Sequence, residues 1–246
     1  MDPPHRSALI TGAARRIGAA IAERLHDAGY NVVVHCRRST EAAQALCERL
    51  DAARPGSARV LSMDLAQVGD LDDFVRRAAA FWGGLDVLVN NASAFYPTTV
   101  GQTSETEWDG LQDANLKAPY FLCQAALPWL RLRRGCIVNI TDIHAMRGLP
   151  GYSAYSVSKA GLVALTQCLA KELAPELRVN AVAPGAILWP ERPVGDDEKA
   201  SILARVPLRR PGCPDDIAKA VLYLVRDADY VTGQVLAVDG GRSLFS

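Results

Sequence analysis

Charge of one sign and long hydrophobic runs are both missing from this sequence. Its 246 residues carry 27 basic and 27 acidic side chains, so it lacks the basic surface that nucleic acids and acidic membranes attract. No apolar run reaches the length of a membrane span, and residues 1–7 are short, polar and proline-containing, unlike a targeting segment. We therefore expect a cytoplasmic protein that acts on neither nucleic acid nor membranes.

Patterns typical of disulfides and metal sites are missing too. The six cysteines include no CxxC pair, and the four histidines lack the spacing of metal ligands. Most of the cysteines fall inside predicted strands or helices, which suits reduced thiols. We expect no structural metal.

What is present is a large apolar fraction, 49%, arranged in alternating segments. The predicted strands cover residues 7–11, 31–35, 59–62, 85–90, 136–140, 178–183 and 234–238. Helical spacing places Ile17, Ile21, Leu25 and Ala28 on one face of a first helix, and residues 40–50 form a second. Val/Ile/Leu strands between amphipathic helices predict a parallel sheet covered on both faces. We expect a single-domain, Rossmann-type doubly wound α/β fold over residues 1–246.

One long irregular stretch, residues 186–214, follows a predicted strand. It contains several prolines and the acidic residues 196–198. A long segment after the carboxyl end of a strand is where a substrate lid would lie, and a disordered loop is the alternative. Trp189 within it would either shape a pocket or only pack inside the lid.

The turn between the first strand and the first helix predicts a dinucleotide phosphate site. Gly12 and Gly18 flank Arg15, Arg16 and Ile17, and such a turn presents backbone N–H groups and a helix N-terminus to a pyrophosphate. Arg16 stands where a middle glycine is usual, so the motif GxGxxG is absent. An ordinary glycine turn remains the alternative.

The end of the second predicted strand favours NADPH over NADH. His35 is followed by Arg37, Arg38 and Ser39, where an NAD-binding protein would carry a carboxylate for the ribose 2′-OH. Two arginines and a hydroxyl would instead bind a 2′-phosphate through charge-assisted hydrogen bonds. With Arg15 and Arg16, four arginines would converge on one end of the cofactor.

Two further residues, Asp64 and Leu65, follow the third predicted strand. They lie where the adenine amino group of a dinucleotide would be met. A helix cap is the competing interpretation of Asp64.

A tyrosine and a lysine predict proton-transfer chemistry. Tyr155 and Lys159 are four residues apart and share a helix face, and Asp142 lies thirteen positions upstream. A nearby ammonium favours the phenolate, so we expect it to lower the pKa of the tyrosine. A solvated surface helix would also explain this pair when it is taken alone.

Asn115 is the fourth candidate. Residues 104–107 form a capping box that begins a helix, and Pro119 lies four residues beyond Asn115. Proline has no N–H, so the Asn115 carbonyl loses its helical partner and a kink is expected there. The alternative is a kinked helix with no catalytic part.

Taken together, these motifs resemble the short-chain dehydrogenases/reductases from end to end. The matching residues are Thr11, Gly12, Gly18, Asn90, Asn91, Ala92, Asn115, Tyr155, Lys159, Pro184, Gly185 and residues 238–241. The resemblance implies that Tyr155 protonates the substrate while Lys159 lowers its pKa and holds the nicotinamide ribose. It also implies a water on the Asn115 carbonyl leading to Lys159. Further cofactor contacts are implied at Asn91, Ala92, Ser93, Pro184 and Gly185.

Within that family the chain looks most like the pteridine reductases. The closer signals are residues 15–18, His35 with Arg38 and Ser39, residues 91–97, and Asp142, where most relatives carry serine. A carboxylate would repel the alkoxide that forms from a carbonyl, whereas a pterin must gain a proton at ring nitrogen. We therefore expect reduction of a dihydropterin or dihydrofolate. The alternative for Asp142 is a surface loop residue.

The expected substrate contacts are Arg16, Ser93, Phe95, Asp142 and Tyr155. Phe95 follows the fourth predicted strand, and its ring would sandwich a flat pterin against the nicotinamide, worth about 0.5–1.5 kcal/mol beyond burial. Packing of Phe95 on its own neighbours is the alternative.

The helix with Tyr155 also bears on assembly. One stripe holds Tyr155 and Lys159, and the opposite stripe holds small or apolar residues, namely Val157, Gly161, Ala164 and Cys168. A helix that is apolar on both faces is expected to be buried on both, one against the sheet and one against a partner subunit. The family pattern makes that partner assembly a homotetramer.

Two other functions are weighed against pterin reduction. A carbonyl reductase, for instance of 3-oxoacyl chains, predicts that Asp142→Ser keeps or raises activity, whereas a pterin reductase predicts a large loss. An NADPH-binding sensor without catalysis is disfavoured because Tyr155, Lys159 and Asn115 are all present.

Overall fold

The computed structural model describes residues 6–188 and 195–244, and in these ranges the chain forms a seven-stranded parallel sheet. The strands are β1 Ser7–Ile10, β2 Asn31–Cys36, β3 Ala58–Ser62, β4 Val87–Asn90, β5 Cys136–Ile140, β6 Arg178–Pro184 and β7 Val235–Val238. Their order is β3-β2-β1-β4-β5-β6-β7, so the chain reverses direction across the sheet between β1 and β4. This confirms the predicted doubly wound fold. In such folds, ligands bind at the carboxyl ends of the strands, at the point where the strand order changes direction, which here is between β1 and β4.

Eight α-helices of the described residues cover the sheet. They are α1 Arg16–Asp27, α2 Thr40–Ala53, α3 Leu71–Ala80, α4 Glu105–Gln112, α5 Ala118–Arg133, α6 Ser153–Glu172, α7 Asp196–Ala204 and α8 Pro214–Arg226. Strand residues alternate between two cores because successive side chains point to opposite faces. On β1, Ala8 and Ile10 join one core with α1 and α8, whereas Leu9 joins the other with α3 and α5. None of the helices described has both the length and the apolar character needed to cross a bilayer.

A π-helical segment, Asp113–Lys117, joins α4 to α5. The predicted capping box is confirmed, because Ser104 Oγ accepts from Glu107 N and Glu107 Oε2 accepts from Ser104 N. Pro119 stands at the start of α5, directly after the π-helical segment, and its missing N–H leaves a carbonyl of the preceding turn without its usual helical partner. The expected kink is therefore accommodated as a widened turn that contains Asn115.

The region predicted as an irregular lid contains a helix. Helix α7 occupies Asp196–Ala204, and its first turn holds the three acidic residues Asp196, Asp197 and Glu198. Negative side chains stabilise a helix N-terminus, which explains why this charged segment is helical. Trp189 lies outside the described residues.

Candidate active site

Tyr155 and Asp142 meet at the carboxyl edge of the sheet. The Tyr155 hydroxyl donates a hydrogen bond of 2.8 Å to Asp142 Oδ2, and Oδ1 accepts one of 2.8 Å from His144 N. Asp142 follows β5 directly, and Tyr155 lies in the first turn of α6 with 5% of its surface exposed. The thirteen-residue spacing therefore reflects a direct contact rather than a surface loop.

The acidity of Tyr155 differs from the expectation. Burial, the charge of Asp142 and the hydrogen bond to it raise the pKa of Tyr155 well above its ordinary value of 10.0. The Lys159 Nζ lies 5.9 Å from the centre of the phenol ring, and burial and the Asp142 charge outweigh its effect. The hydroxyl is therefore protonated throughout the neutral range and available as a proton donor.

Lys159 is a fully enclosed cation. Only 2% of its surface is exposed, and its Nζ donates a hydrogen bond of 3.0 Å to the carbonyl of Ile140. Burial lowers its pKa from 10.5 to about 8, and the charge of Asp142 partly opposes that shift. Lys159 can therefore exchange a proton near neutral pH.

Asn115 links the loop after β4 to α6. Its Oδ1 accepts from Ser93 Oγ and Ala94 N, both at 2.9 Å, while Nδ2 donates to the Ala94 carbonyl and to Ser158 Oγ, both at 3.0 Å. The amide group that makes these four hydrogen bonds is fully buried. The side chain thus fixes the position of Tyr155's helix, while the predicted relay through the Asn115 carbonyl stays a prediction.

A groove of about 680 Å³ opens beside this cluster. Its lining includes Gly12, Arg15, Arg16, Ile17, Gly18, His35, Arg37, Asp64, Leu65, Asn91, Ala92, Ser93 and Phe95. Twelve of the eighteen residues predicted to bind the cofactor are therefore brought together.

Two glycines form the tight floor of the groove. Gly12 has φ +62° and a Cβ there would lie 2.9 Å from Ala92 Cα, while a Cβ on Gly18 would lie 2.4 Å from the Gly12 carbonyl oxygen. Helix α1 begins at Arg16, so its first N–H groups face the groove. A cradle that side chains would fill, with a helix N-terminus beside it, fits a pyrophosphate.

His35 supports the cofactor loop from below. It is 2% exposed, its Nδ1 accepts from Gly12 N at 3.0 Å, and its Nε2 lies 3.1 Å from the Met63 carbonyl. Burial lowers the pKa of His35, which keeps the ring neutral and lets Nδ1 accept. Both of these ring contacts are with the protein's own backbone, so they hold the loop in position.

The arginines divide into two groups. Arg15, Arg16 and Arg37 line the groove, and Arg37 lies 4.0 Å from Asp64. Arg38 is exposed and is not part of the lining, and Ser39 is the N-cap residue of α2. Three of the four predicted arginines therefore converge, and the roles of Arg38 and Ser39 at a 2′-phosphate stay predictions.

Aromatic packing accounts for Phe95. Its ring stacks on Tyr152 with centres 4.6 Å apart and planes at 10°, and it meets Tyr155 edge-on at 4.7 Å. This is the alternative in which a loop aromatic packs on its neighbours, although 49% of the side chain still faces the groove mouth. Phe95 thus covers the catalytic tyrosine.

Pro184 and Gly185 lie at the same edge, further along the sheet. Gly185 N donates to the Val238 carbonyl at 3.0 Å, and a Cβ there would lie 2.5 Å from Asp239 Cβ. They do not line the groove. Their part in cofactor binding stays a prediction.

Ser158 was not singled out from the sequence, and Thr11 was named only as part of the family resemblance, with no role assigned to it. Thr11 Oγ1 accepts from the N–H groups of Asn91 and Ala92, both at 2.9 Å, and so joins β1 to the loop after β4. Ser158 sits between the two catalytic candidates in sequence and receives the Asn115 amide. Position beside a known motif residue was the only available signal.

Comparisons with known proteins agree over almost the whole chain. A family model described as enoyl-(acyl carrier protein) reductase matches residues 12–243. The 3-oxoacyl-(acyl-carrier-protein) reductase FabG of Staphylococcus epidermidis is 39% identical over 241 residues, covering 96% of this chain and 98% of that protein. The FabG of Chlamydia trachomatis is 35% identical over 243 residues, covering 97% and 98%.

A solved structure is also similar. A blue fluorescent protein from a metagenomic library, crystallised with NADPH, superposes with a TM-score of 0.90 at 33% identity, over 96% of this chain and 97% of that one.

These findings overturn the prediction that the substrate is a pterin or folate. The relatives are 3-oxoacyl reductases, so the overall likeness supports the carbonyl-reductase alternative. The pterin prediction rested chiefly on Asp142 and Phe95, and Phe95 is stacked on Tyr152. The similarity to relatives along nearly the full length shows that the chain belongs to the short-chain dehydrogenase/reductase family of oxidoreductases.

Proposed function

We propose that the protein is an NADPH-dependent carbonyl reductase that acts on 3-oxoacyl thioesters. The full-length similarity to 3-oxoacyl reductases carries this proposal. The buried cluster of Tyr155, Lys159 and Asn115 supports it, because a ketone needs a proton donor beside a hydride donor. Acyl-carrier protein is the carrier that the relatives' names suggest.

NADPH would occupy the groove. The glycine cradle at Gly12 and Gly18 would hold the pyrophosphate, and Arg15, Arg16 and Arg37 would meet the phosphate-bearing adenosine end. Asp64 and Leu65 would border the adenine, and Arg38 and Ser39 would add to the 2′-phosphate site. The bound dinucleotide would supply the hydride.

Tyr155 would supply the proton. When the carbonyl carbon gains hydride, its oxygen gains the Tyr155 proton, so that a ketone becomes an alcohol. The hydroxyl now held by Asp142 must turn to the substrate oxygen. Because the carboxylate would repel a free alkoxide, proton transfer has to accompany hydride arrival.

Lys159 and Asn115 would support that step. The Lys159 ammonium would return a proton to Tyr155 and hold the nicotinamide ribose, and Asn115 would keep α6 in register with the loop at Ser93. Asn91, Ala92, Pro184 and Gly185 would complete the cofactor walls, and residues 186–214 would cover the substrate.

We further propose a homotetramer. On α6, Val157, Ala164 and Cys168 are exposed, opposite the buried stripe of Tyr155 and Lys159. Exposed apolar residues on a helix that carries the catalytic pair are typical of a subunit contact.

The function is tested by NADPH oxidation with 3-oxoacyl thioesters, using the native protein and Asp142→Ser. We expect turnover by the native protein. We expect Asp142→Ser to keep or raise kcat/KM, by up to about tenfold, because a tyrosine pKa nearer the working pH improves proton transfer. Removing the carboxylate also lowers the Tyr155 pKa, so the alkaline limb of the pH–rate profile should move to lower pH.

Asp142→Asn is the matched control, since it keeps the size of the side chain and removes its charge. Dihydropterin and dihydrofolate complete the substrate panel. Turnover of those compounds with none of the 3-oxoacyl thioesters, together with loss of activity in Asp142→Ser, would overturn the proposal.

A further inference from the structure

Three arginines lie near one another at the carboxyl edge of the sheet, and none of them lines the cofactor groove. Arg147 follows the turn Ile143–Ala145, Arg205 is the C-cap residue of α7, and Arg242 opens the turn Arg242–Leu244 after β7. They are called the arginine triad below. None of the three was a candidate from the sequence, because they are separated by up to 95 positions.

Backbone contacts hold the three segments of the triad together. Arg147 Nη1 donates a hydrogen bond of 2.7 Å to the carbonyl oxygen of Arg242. Leu208 N donates to the Gly240 carbonyl at 3.2 Å, and a Cβ on Gly241 would lie 2.9 Å from Pro207 Cγ. The segment after α7 and the segment after β7 are therefore packed closely, and the position of the triad is built into the fold.

One member of the triad, Arg242, is close enough to Asp142 to feel its charge. Burial lowers the pKa of the Arg242 guanidinium; the charge of Asp142 opposes this shift, and the positive charges of Arg147 and Arg205 add to it. Arg242 is thus near the carboxylate that holds Tyr155, and also near two other cations.

The nearby carboxylates already have other partners. Asp239 Oδ1 accepts from Gly241 N at 2.9 Å and Oδ2 from Ser243 N at 2.6 Å. Both oxygens of Asp142 are likewise occupied. Within residues 6–188 and 195–244, neither Arg205 nor Arg242 forms an ion pair within 4.0 Å. The guanidinium groups of Arg205 and Arg242 therefore keep their capacity to bind an oxyanion.

We propose that Arg205 and Arg242, with Arg147 bracing the backbone of Arg242, form a subsite for an oxyanion on the substrate, a carboxylate or a phosphate remote from the reacting carbonyl. This rests on the proposed function and deepens it. Guanidinium groups bind carboxylate and phosphate in a planar, bidentate manner, and partial burial strengthens that contact. With its anion at the triad, the substrate would place its ketone at Tyr155.

The test compares three thioesters of matched acyl length. One is a neutral 3-oxoacyl N-acetylcysteamine thioester, one carries a terminal carboxylate on the acyl chain, and one is a phosphopantetheine thioester. For Arg205→Gln and Arg242→Gln we expect KM to rise roughly tenfold for a charged compound with kcat within about twofold, and no change for the neutral one. Whether the carboxylate or the phosphate compound responds identifies the source of the anion.

Two controls accompany the test. Arg242→Lys keeps the charge and should recover part of the affinity, whereas Arg226→Gln, at the opposite edge of the sheet and paired with Asp227, should change nothing. Calorimetric titration of the same compounds into the NADPH-loaded protein gives the same contrast without turnover. It therefore tests the subsite even if no 3-oxoacyl compound is reduced.

An equal rise in KM for charged and neutral compounds would overturn the subsite proposal, because Arg242 would then act only by balancing the charge of Asp142. So would equal affinity of the native protein for all three compounds.

Discussion

At the residue scale, burial and the Asp142 carboxylate together set the acidity of Tyr155, the proposed proton donor. In the described structure the carboxylate accepts the Tyr155 hydroxyl, and with burial it raises the Tyr155 pKa well above 10.0. A tyrosine in this state gives up its proton only to an oxygen that is becoming strongly basic, as a ketone oxygen does while hydride reaches its carbon. The same carboxylate that suggested a pterin is therefore compatible with carbonyl reduction.

Burial of the Lys159 ammonium lowers the free energy of unfolding by an amount that depends on pH. Its folded pKa of about 8 lies below its ordinary value of 10.5, so between these values the unfolded chain binds a proton that the folded chain does not. The free energy of unfolding therefore rises with pH across this window, by up to roughly 3 kcal/mol in total.

Replacing this cation should remove the pH dependence. We expect the cofactor-free Lys159→Met protein to gain stability over the native protein at pH 7, and to lose most of that gain by pH 10, as measured by urea denaturation. Activity should be abolished. Lys171→Met, at an exposed position of the same helix, is the control. A gain of the same size at both pH values would contradict the assigned protonation of Lys159.

The residues proposed as catalytic could be found in the sequence because their signals are local. Spacing of four on a helix gave Tyr155 and Lys159, and the capping box with Pro119 gave the region of Asn115. The substrate was not predictable in this way. A substrate pocket is built from side chains of distant segments, and contacts between such segments, like the stacking of Phe95 on Tyr152, have no local sequence pattern.

At the scale of elements, the turn from β1 into α1 depends on Gly18 having no side chain. A Cβ on Gly18 would approach the Gly12 carbonyl, the Asn91 amide and Ala13 Cα within 2.8 Å. Two of these are backbone atoms and cannot move without shifting the loop. The turn can therefore be close-packed only with glycine at this position.

We expect Gly18→Ala to lower the free energy of unfolding by about 1–3 kcal/mol, as overpacking does, and to weaken NADPH binding. Denaturant titration and fluorescence titration with NADPH measure the two effects. Gly69→Ala is the matched control, since a Cβ there meets no atom within 4 Å. Unchanged NADPH affinity in Gly18→Ala would show that the turn does not hold the cofactor.

The strands were the most predictable elements. Each lies within two residues of its expected bounds, because buried parallel strands are continuous apolar runs. Helix α7 was missed because none of its residues is buried, so its sequence carries no apolar stripe.

At the scale of the whole molecule, the uncovered face of α6 is the clearest sign of association. We expect the native protein to be a tetramer, with four times the 26.5 kDa chain mass by light scattering at micromolar concentration. Ala164→Arg places a charge on this face and should yield smaller species. Gln44→Arg, on α2, is the control, and a native protein that is already monomeric would contradict the prediction.

Helix α6 has a consequence that reaches beyond its own packing. It is one continuous helix of 20 residues, with the proposed proton donor on its inner side and the face proposed to contact a neighbouring subunit on its outer side. Only about one helix diameter, roughly 10 Å, separates the two. A displacement of α6 at a subunit interface would move the Tyr155 phenol by a similar amount. The arrangement of the subunits and the turnover rate would then both depend on the position of this one helix.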